Sequence, residues 1–207
     1  MPVAPLTLPA EQRAALHAAY AIPPRAYHNV HHVEAVLGHY DAVAGGPGWN
    51  QPCEAYLAVL YHDAIYDVGR SDNEARSAEL AGVHVARWLR DSGIDVGVVK
   101  RLINLTAHHG KWSPSDFAGD GRAPDTTHFL DCDMAILGAE PDEFDAYDRG
   151  IAAEYRGSVP GFLFNASRRR FLKQLLARDR IFVSDFFHDR YDASARNNLR
   201  RAVTTKR

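Results

Sequence analysis

The sequence Tyr56-Leu-Ala-Val-Leu-Tyr-His-Asp-Ala-Ile-Tyr66 places a histidine and an aspartate directly after six apolar or aromatic residues. A segment of this composition normally lies in a protein core, where an unpaired carboxylate is strongly destabilising. The pair His62 and Asp63 therefore needs a compensating partner. A bound divalent cation would serve, because it reverses the local charge balance. A buried hydrogen bond between histidine and aspartate, or an arginine elsewhere in the chain, would serve as well.

The composition predicts a substantial core, because 46% of the 207 residues are hydrophobic. The formal net charge at pH 7 is only -2. Such a charge argues against nucleic-acid binding driven by bulk electrostatics. The two isolated cysteines indicate neither a disulfide framework nor a thiolate zinc site. The N-terminal region lacks a signal-peptide pattern, and no apolar run approaches the ~20 residues of a membrane span. We therefore expect a cytoplasmic protein without membrane association.

Apolar residues recur at helical spacing along most of the chain, and no segment shows the alternation typical of a strand. The prediction is an all-α, single-domain helical bundle over residues 1–207. Its core would comprise about residues 25–156, with C-terminal helices in residues 160–207. The predicted helices cover roughly residues 9–20, 25–41, 52–66, 71–93, 96–109, 125–137, 141–156, 162–179 and 193–202, with a long loop over 110–124.

Acidic and imidazole groups interrupt four of these apolar helices. The four places are His28/His32, His62-Asp63, His108-His109 and Asp131/Asp133. Residues four apart share a helix face, and packed helices can direct such groups at one interior point. Imidazole and carboxylate ligands without thiolate suit a divalent Mn, Fe, Co, Ni, Zn or Mg ion. Open positions on such an ion activate water, which is hydrolytic chemistry.

In chain order, His32, His62-Asp63 and Asp133 resemble the pattern of the HD superfamily of metal-dependent phosphohydrolases, whose fold is an all-α bundle. The segment Tyr27-His-Asn-Val-His-His32 is similar to the Tyr-His-Asn-x-x-His signature of cyclic-nucleotide phosphodiesterases, which belong to that superfamily. The resemblance covers about residues 27–155 and looks like a group of predicted HD phosphohydrolases of unknown substrate. The chain is too short for a full phosphodiesterase catalytic domain and lacks the recognisable glutamine-and-phenylalanine purine clamp.

The resemblance implies a role for each matching residue. His32, His62, Asp63 and Asp133 would be the metal ligands. His28 would be a catalytic histidine that protonates the leaving oxygen. Glu74 would contact metal-bound water, although a capping box that starts at Ser71 explains it equally well.

Each of the remaining candidate site residues has two interpretations. His108 and His109 would supply ligands for a second metal or bind phosphate. Asp131 would orient a ligand histidine or act as a charge near a helix N-terminus. Arginine binds phosphate through paired hydrogen bonds, so Arg149 and Arg156 are candidates for the substrate phosphate, and the run 168–170 is a further set. Alternatively, these arginines are charged residues on the protein surface without a role in binding.

The predicted activity is metal-dependent hydrolysis of a phosphomonoester or phosphodiester, in a nucleotide or related small molecule, by metal-activated water. His28 or Glu74 would handle protons. One alternative is a di-iron oxygenase on the same scaffold, with His108 and His109 as additional ligands. Another is a non-catalytic nucleotide-binding sensor. The expected partner is a small phosphorylated substrate, and a homodimer is an open alternative to a monomer.

Overall fold

The computed structural model describes residues 4–204, and within that range every regular element is a helix. The all-α prediction is therefore confirmed for these residues. None of their helices combines the length and the apolar character that crossing a membrane requires. The helices are α1 (Ala10–Tyr20), α2 (Val30–Ala44), α3 (Pro52–Tyr61), α4 (Asn73–Trp88), α5 (Val96–Leu105), α6 (Ala123–Met134), α7 (Pro141–Glu154), α8 (Gly161–Leu176) and α9 (Asp185–Thr204). Short 3-10 turns occupy Thr106–His108, Pro114–Phe117 and Ala135–Gly138.

Helix α2 starts later than predicted, at Val30 instead of near residue 25. The Asn29 side chain accepts a hydrogen bond from the His31 amide at 2.9 Å, which satisfies one of the unpaired donors at the helix start. His28 thus precedes the helix, and the prediction that His28 and His32 share a helical face is wrong.

Helix α4 starts without the predicted capping box. Its N-cap residue is Asp72, whose side chain makes no capping bond. Arg70 instead donates two hydrogen bonds of 2.7 Å to that carboxylate. A box between Ser71 and Glu74 is therefore not formed, and the helix cap does not account for Glu74.

Helix α3 occupies the centre of the packing and contacts α2, α4, α5 and α6. Leu57, Ala58, Val59 and Tyr61 are fully buried. A helix that is apolar on all sides is stable only when it is surrounded by other elements. The helix ends at Tyr61, so His62 and Asp63 follow it inside the bundle, in a turn.

The turn Ala135–Gly138 packs tightly against α9. A Cβ added at Gly138 would lie 2.7 Å from the Cβ of Tyr191, so the close approach requires glycine. Asn198 of α9 donates hydrogen bonds to the carbonyls of Leu137 and Ala139, at 3.0 and 2.8 Å. Helix α9 therefore fixes the end of α6, which carries Asp133.

Asp131 also connects α6 to α9, and this is a role that neither sequence interpretation described. It is 1% exposed and accepts hydrogen bonds from the amide of Val183 at 2.8 Å and from the amide and hydroxyl of Ser184 at 2.6 Å. These donors come just before α9. The carboxylate thus holds the start of α9 and does not orient a ligand histidine.

Replacing Asp131 with Ala should lower the free energy of unfolding by about 3 kcal/mol or more, because three buried donors lose their acceptor. Urea denaturation followed by circular dichroism measures the change. Asp145→Ala is the matched control, since Asp145 forms an ion pair with Arg201 in which both side chains are about 40% exposed. That pair should contribute less than about 1 kcal/mol. Equal losses in the two variants would contradict the anchoring role.

Candidate metal centre

Four side chains from three parts of the chain converge at one buried point beside the end of α3. His32 comes from the first turn of α2, His62 and Asp63 from the turn after α3, and Asp133 from the last turn of α6. The Nε2 atom of His32 lies 3.0 Å from His62 Nε2, 3.1 Å from Asp133 Oδ1 and 3.5 Å from Asp63 Oδ2. The Nε2 atom of His62 lies 3.2 Å from Asp63 Oδ2 and 3.6 Å from Asp133 Oδ1.

These separations suit ligands that share one cation. Metal–ligand bonds of about 2.1 Å place neighbouring ligand atoms about 3.0 Å apart in an octahedron and about 3.4 Å apart in a tetrahedron. The ligand atoms of His32, His62 and Asp63 all lie within 4.8 Å of one another. The two histidines are almost fully buried, whereas Asp63 and Asp133 are 16% and 12% exposed. The residues thus fit a divalent cation that is open to a ligand on the aspartate side.

The end of α3 sets the orientation of His62. The last carbonyls of a helix lack partners within it, and His62 Nδ1 donates a hydrogen bond of 2.8 Å to the carbonyl of Val59 in the neutral ring. This bond assigns the ring proton to Nδ1. The lone pair of Nε2 is then directed at the cluster, as in many metal-binding histidines.

The charges of the cluster compensate one another. Burial alone raises the pKa of Asp63 and Asp133, but the neighbouring imidazoles outweigh it and hold both values well below the usual range. Burial alone lowers the pKa of His32 and His62, but the two carboxylates outweigh it and raise both values. The cluster therefore retains protons near neutral pH, and a cation that binds there must displace them.

His28 lies beside the cluster and is held by a residue that sequence reasoning missed. Glu154 is fully buried at the end of α7, and its Oε2 is 2.6 Å from His28 Nδ1. Its other oxygen accepts hydrogen bonds from the amides of Tyr27 and His28, at 2.7 and 2.9 Å. The imidazole also stacks on Tyr66 at 4.0 Å. His28 is thus fixed at Nδ1, which leaves Nε2 to exchange a proton.

His109 reaches the cluster and His108 does not. His109 Nδ1 lies 3.0 Å from Asp133 Oδ2, and burial lowers the pKa of His109. Its Nε2 is buried and has no hydrogen-bond partner among the described residues. His108 is exposed, and its ring lies 6.0 Å from that of Trp112. Of the doublet, the structure thus brings His109 to the cluster, and a role for His108 as a metal or phosphate ligand stays a prediction.

A cavity of about 260 Å³ opens in front of the aspartates. Its wall contains Glu74, at the start of α4, and Arg168, on α8. Arg149 and Arg156 are exposed and are not among the residues that line this cavity, so their assignment to the substrate phosphate stays a prediction without support from this geometry. The titratable residues around the cavity are His28, Asp63, Glu74, His109, Asp133 and Arg168, with four tyrosines, Tyr27, Tyr66, Tyr147 and Tyr155.

The sequence contains a signal for Glu154 that could have been used. The buried side of α7 is formed by Phe144, Asp148, Ile151 and Glu154, at spacings of three and four residues. Acids set among apolar residues are the same kind of signal that marks Asp63 and Asp133 in the sequence. In the sequence, Arg168 belongs to a run of three arginines, residues 168–170. Only the packing of the folded chain distinguishes Arg168 from the other two.

Comparison of the chain with models of known families, with curated proteins and with solved structures finds no match. What the site can do chemically follows from its own donor atoms, charges and cavity.

The affinity of the cluster for Mn²⁺ should rise with pH. Raised imidazole pKa values mean that the metal-free site still binds protons near neutrality, so each displaced proton weakens binding by about tenfold per pH unit below that pKa. Isothermal titration calorimetry at about pH 6, 7 and 8 measures the trend. The control is His31→Gln, because His31 is an exposed side chain that pairs with Glu34. An affinity that is independent of pH over this range would contradict the proton-retaining cluster.

Proposed function

We propose that this chain is a metal-dependent phosphohydrolase of the HD type that acts on a small phosphorylated molecule, a nucleotide being one example. One observation carries the proposal: the buried cluster of His32, His62, Asp63 and Asp133 faces a cavity that also holds a histidine for proton transfer and a guanidinium for an anion. Each part has a defined use in phosphate-ester hydrolysis.

His32, His62, Asp63 and Asp133 would hold the divalent cation. When bound, a cation of this kind polarises a phosphoryl oxygen and lowers the pKa of water. Asp63 and Asp133 supply two negative charges that match the divalent ion, and the histidines supply neutral donors once their protons have left. The partly exposed aspartates lie on the cavity side, where the substrate would enter.

His28 and Glu74 would divide the proton transfers of the hydrolysis. In that reaction, a water oxygen bonds to phosphorus while the ester P–O bond breaks, and the leaving oxygen takes up a proton. His28 would give this proton from Nε2, because Glu154 engages Nδ1. Glu74 lines the same cavity and would accept a proton from the attacking water.

The di-iron oxygenase has weaker support. Its additional iron ligands were expected from His108 and His109, and the exposed position of His108 leaves only His109 near Asp133. Hydrolysis needs no second ion, and the guanidinium of Arg168 in the cavity wall would bind the phosphate. We therefore place the hydrolase first.

Asp63→Ala should abolish both metal binding and phosphate release. Elemental analysis of the purified protein gives the metal content, and a phosphate-release assay across nucleotides and sugar phosphates gives the activity. Asp67→Ala is the matched control, because Asp67 is an exposed aspartate that pairs with Arg76 and should leave both unchanged. Full activity of Asp63→Ala would refute the proposal, as would absence of metal from the wild-type protein after reconstitution with each ion.

His28→Gln should reduce kcat by about 10²- to 10⁴-fold on alkyl phosphates, whose leaving oxygen needs a proton. The loss should be much smaller on p-nitrophenyl phosphate, whose leaving group departs as an anion. Glu154→Gln should give the same leaving-group dependence with a smaller loss, because it weakens only the hold on Nδ1. Metal content should stay unchanged in both variants. Equal losses on both substrates would exclude His28 as the proton donor.

A further inference from the structure

Arg168 has a buried donor atom without a partner, and the residue is one of those that line the site cavity. The side chain is 10% exposed, and its Nε donates a hydrogen bond of 3.1 Å to Asp148 Oδ1. Its Nη2 is buried and makes no hydrogen bond among the described residues. Leaving a buried guanidinium donor unsatisfied is destabilising, so such a group indicates a missing partner.

The guanidinium is held in place before any ligand arrives. It lies over the ring of Tyr147 at 4.9 Å and near that of Phe171 at 5.6 Å. Tyr147 in turn contacts Tyr27 at 4.7 Å, and Tyr27 contacts His32 at 4.7 Å. Two aromatic rings therefore connect Arg168 to a residue of the metal cluster. A fixed, half-satisfied guanidinium binds oxyanions with little loss of side-chain entropy.

The charge and the volume of the site cavity limit which ligands it can bind. Among the described residues that line this cavity, Arg168 is the one lysine or arginine. A divalent ion would be neutralised by Asp63 and Asp133, which leaves Arg168 as the main positive group for the ligand itself. The volume of about 260 Å³ lies below the roughly 300–1,000 Å³ of sites that enclose a drug-sized molecule. The cavity is thus large enough for a phosphoryl group but too small to enclose a whole drug-sized molecule, so the organic part of a larger substrate would extend outside it.

We propose that Arg168 binds the terminal phosphoryl oxygens of the substrate and that the substrates are phosphomonoesters. This inference rests on the proposed phosphohydrolase function. A monoester inserts its phosphoryl end between the guanidinium and the metal cluster. A diester carries organic groups on both sides of phosphorus and would have to place one of them in the small cavity. A triphosphate would bring several negative charges to one guanidinium.

The first test is binding of inorganic phosphate to the Mn²⁺-loaded protein, measured by isothermal titration calorimetry. Arg168→Gln should weaken binding by about 10- to 100-fold, because it removes a charge-assisted hydrogen bond. Lys173→Gln is the matched control, since Lys173 is an exposed cation on the same helix, and it should bind phosphate like the wild type. Unchanged affinity in Arg168→Gln, or no phosphate binding by the wild type, would overturn the assignment.

A second variant keeps the test valid if Arg168→Gln does not fold, as judged by circular dichroism. Arg168→Lys retains the charge and loses the planar fork, so phosphate affinity should fall by about 3- to 10-fold. Wild-type affinity in Arg168→Lys, when Arg168→Gln is unfolded, would overturn the role of the guanidinium.

Hydrolysis separates this inference from the proposed function. The Mn²⁺-loaded wild type should cleave p-nitrophenyl phosphate, and Arg168→Gln should lower kcat/KM mainly through KM. Faster cleavage of bis-p-nitrophenyl phosphate than of the monoester would overturn the monoester assignment. Phosphate binding that depends on Arg168, without turnover of either ester, would refute the hydrolase and leave Arg168 as the oxyanion-binding residue.

Discussion

Two carboxylates, Asp63 and Asp133, lie inside an apolar helical bundle, and the surrounding structure compensates their charge. Burial without partners would hold these groups protonated, but the imidazoles of His32 and His62 keep their pKa values low. The compensation requires that α2, α6 and the end of α3 meet within hydrogen-bonding distance. Helix α3 ends at Tyr61, and the turn that follows it brings His62 and Asp63 to this meeting point.

The turns around the cluster are held by side chains that do not belong to it. Arg25 donates hydrogen bonds to the carbonyls of His28, Asp63 and Ala64, at 2.9, 2.7 and 3.0 Å. Glu154 holds the segment before α2 through two amides and the His28 ring. Each group satisfies backbone atoms of the non-helical segments before α2 and after α3. The loops that carry the site are therefore fixed by buried polar bonds, so a small cavity can keep its shape.

Helix α7 illustrates how one element serves both stability and chemistry. Its apolar side packs Phe144 and Ile151 into the bundle, and the acids at Asp148 and Glu154 lie on the same side. Glu154 fixes His28, and Asp148 fixes Arg168. Both acids thus hold another cavity residue in place; in the proposed hydrolase, these two residues would transfer a proton and bind the anion. His28 and Arg168 both line the cavity, together with four tyrosines.

The sequence by itself determined the helical class and marked the acids and imidazoles within apolar segments that need partners. Its resemblance to the HD pattern selected His32, His62, Asp63 and Asp133 among them. It could not determine which charged residues join them. The doublet at residues 108 and 109 is symmetrical in sequence, yet the chain turns there and only His109 points inward. No local sequence feature distinguishes Arg168 from Arg149 and Arg156, and only the tertiary structure buries Arg168 beside Asp148. Local sequence patterns specify which residues must be buried. The tertiary structure decides which charged residues pair with them, because those contacts join residues far apart in the chain.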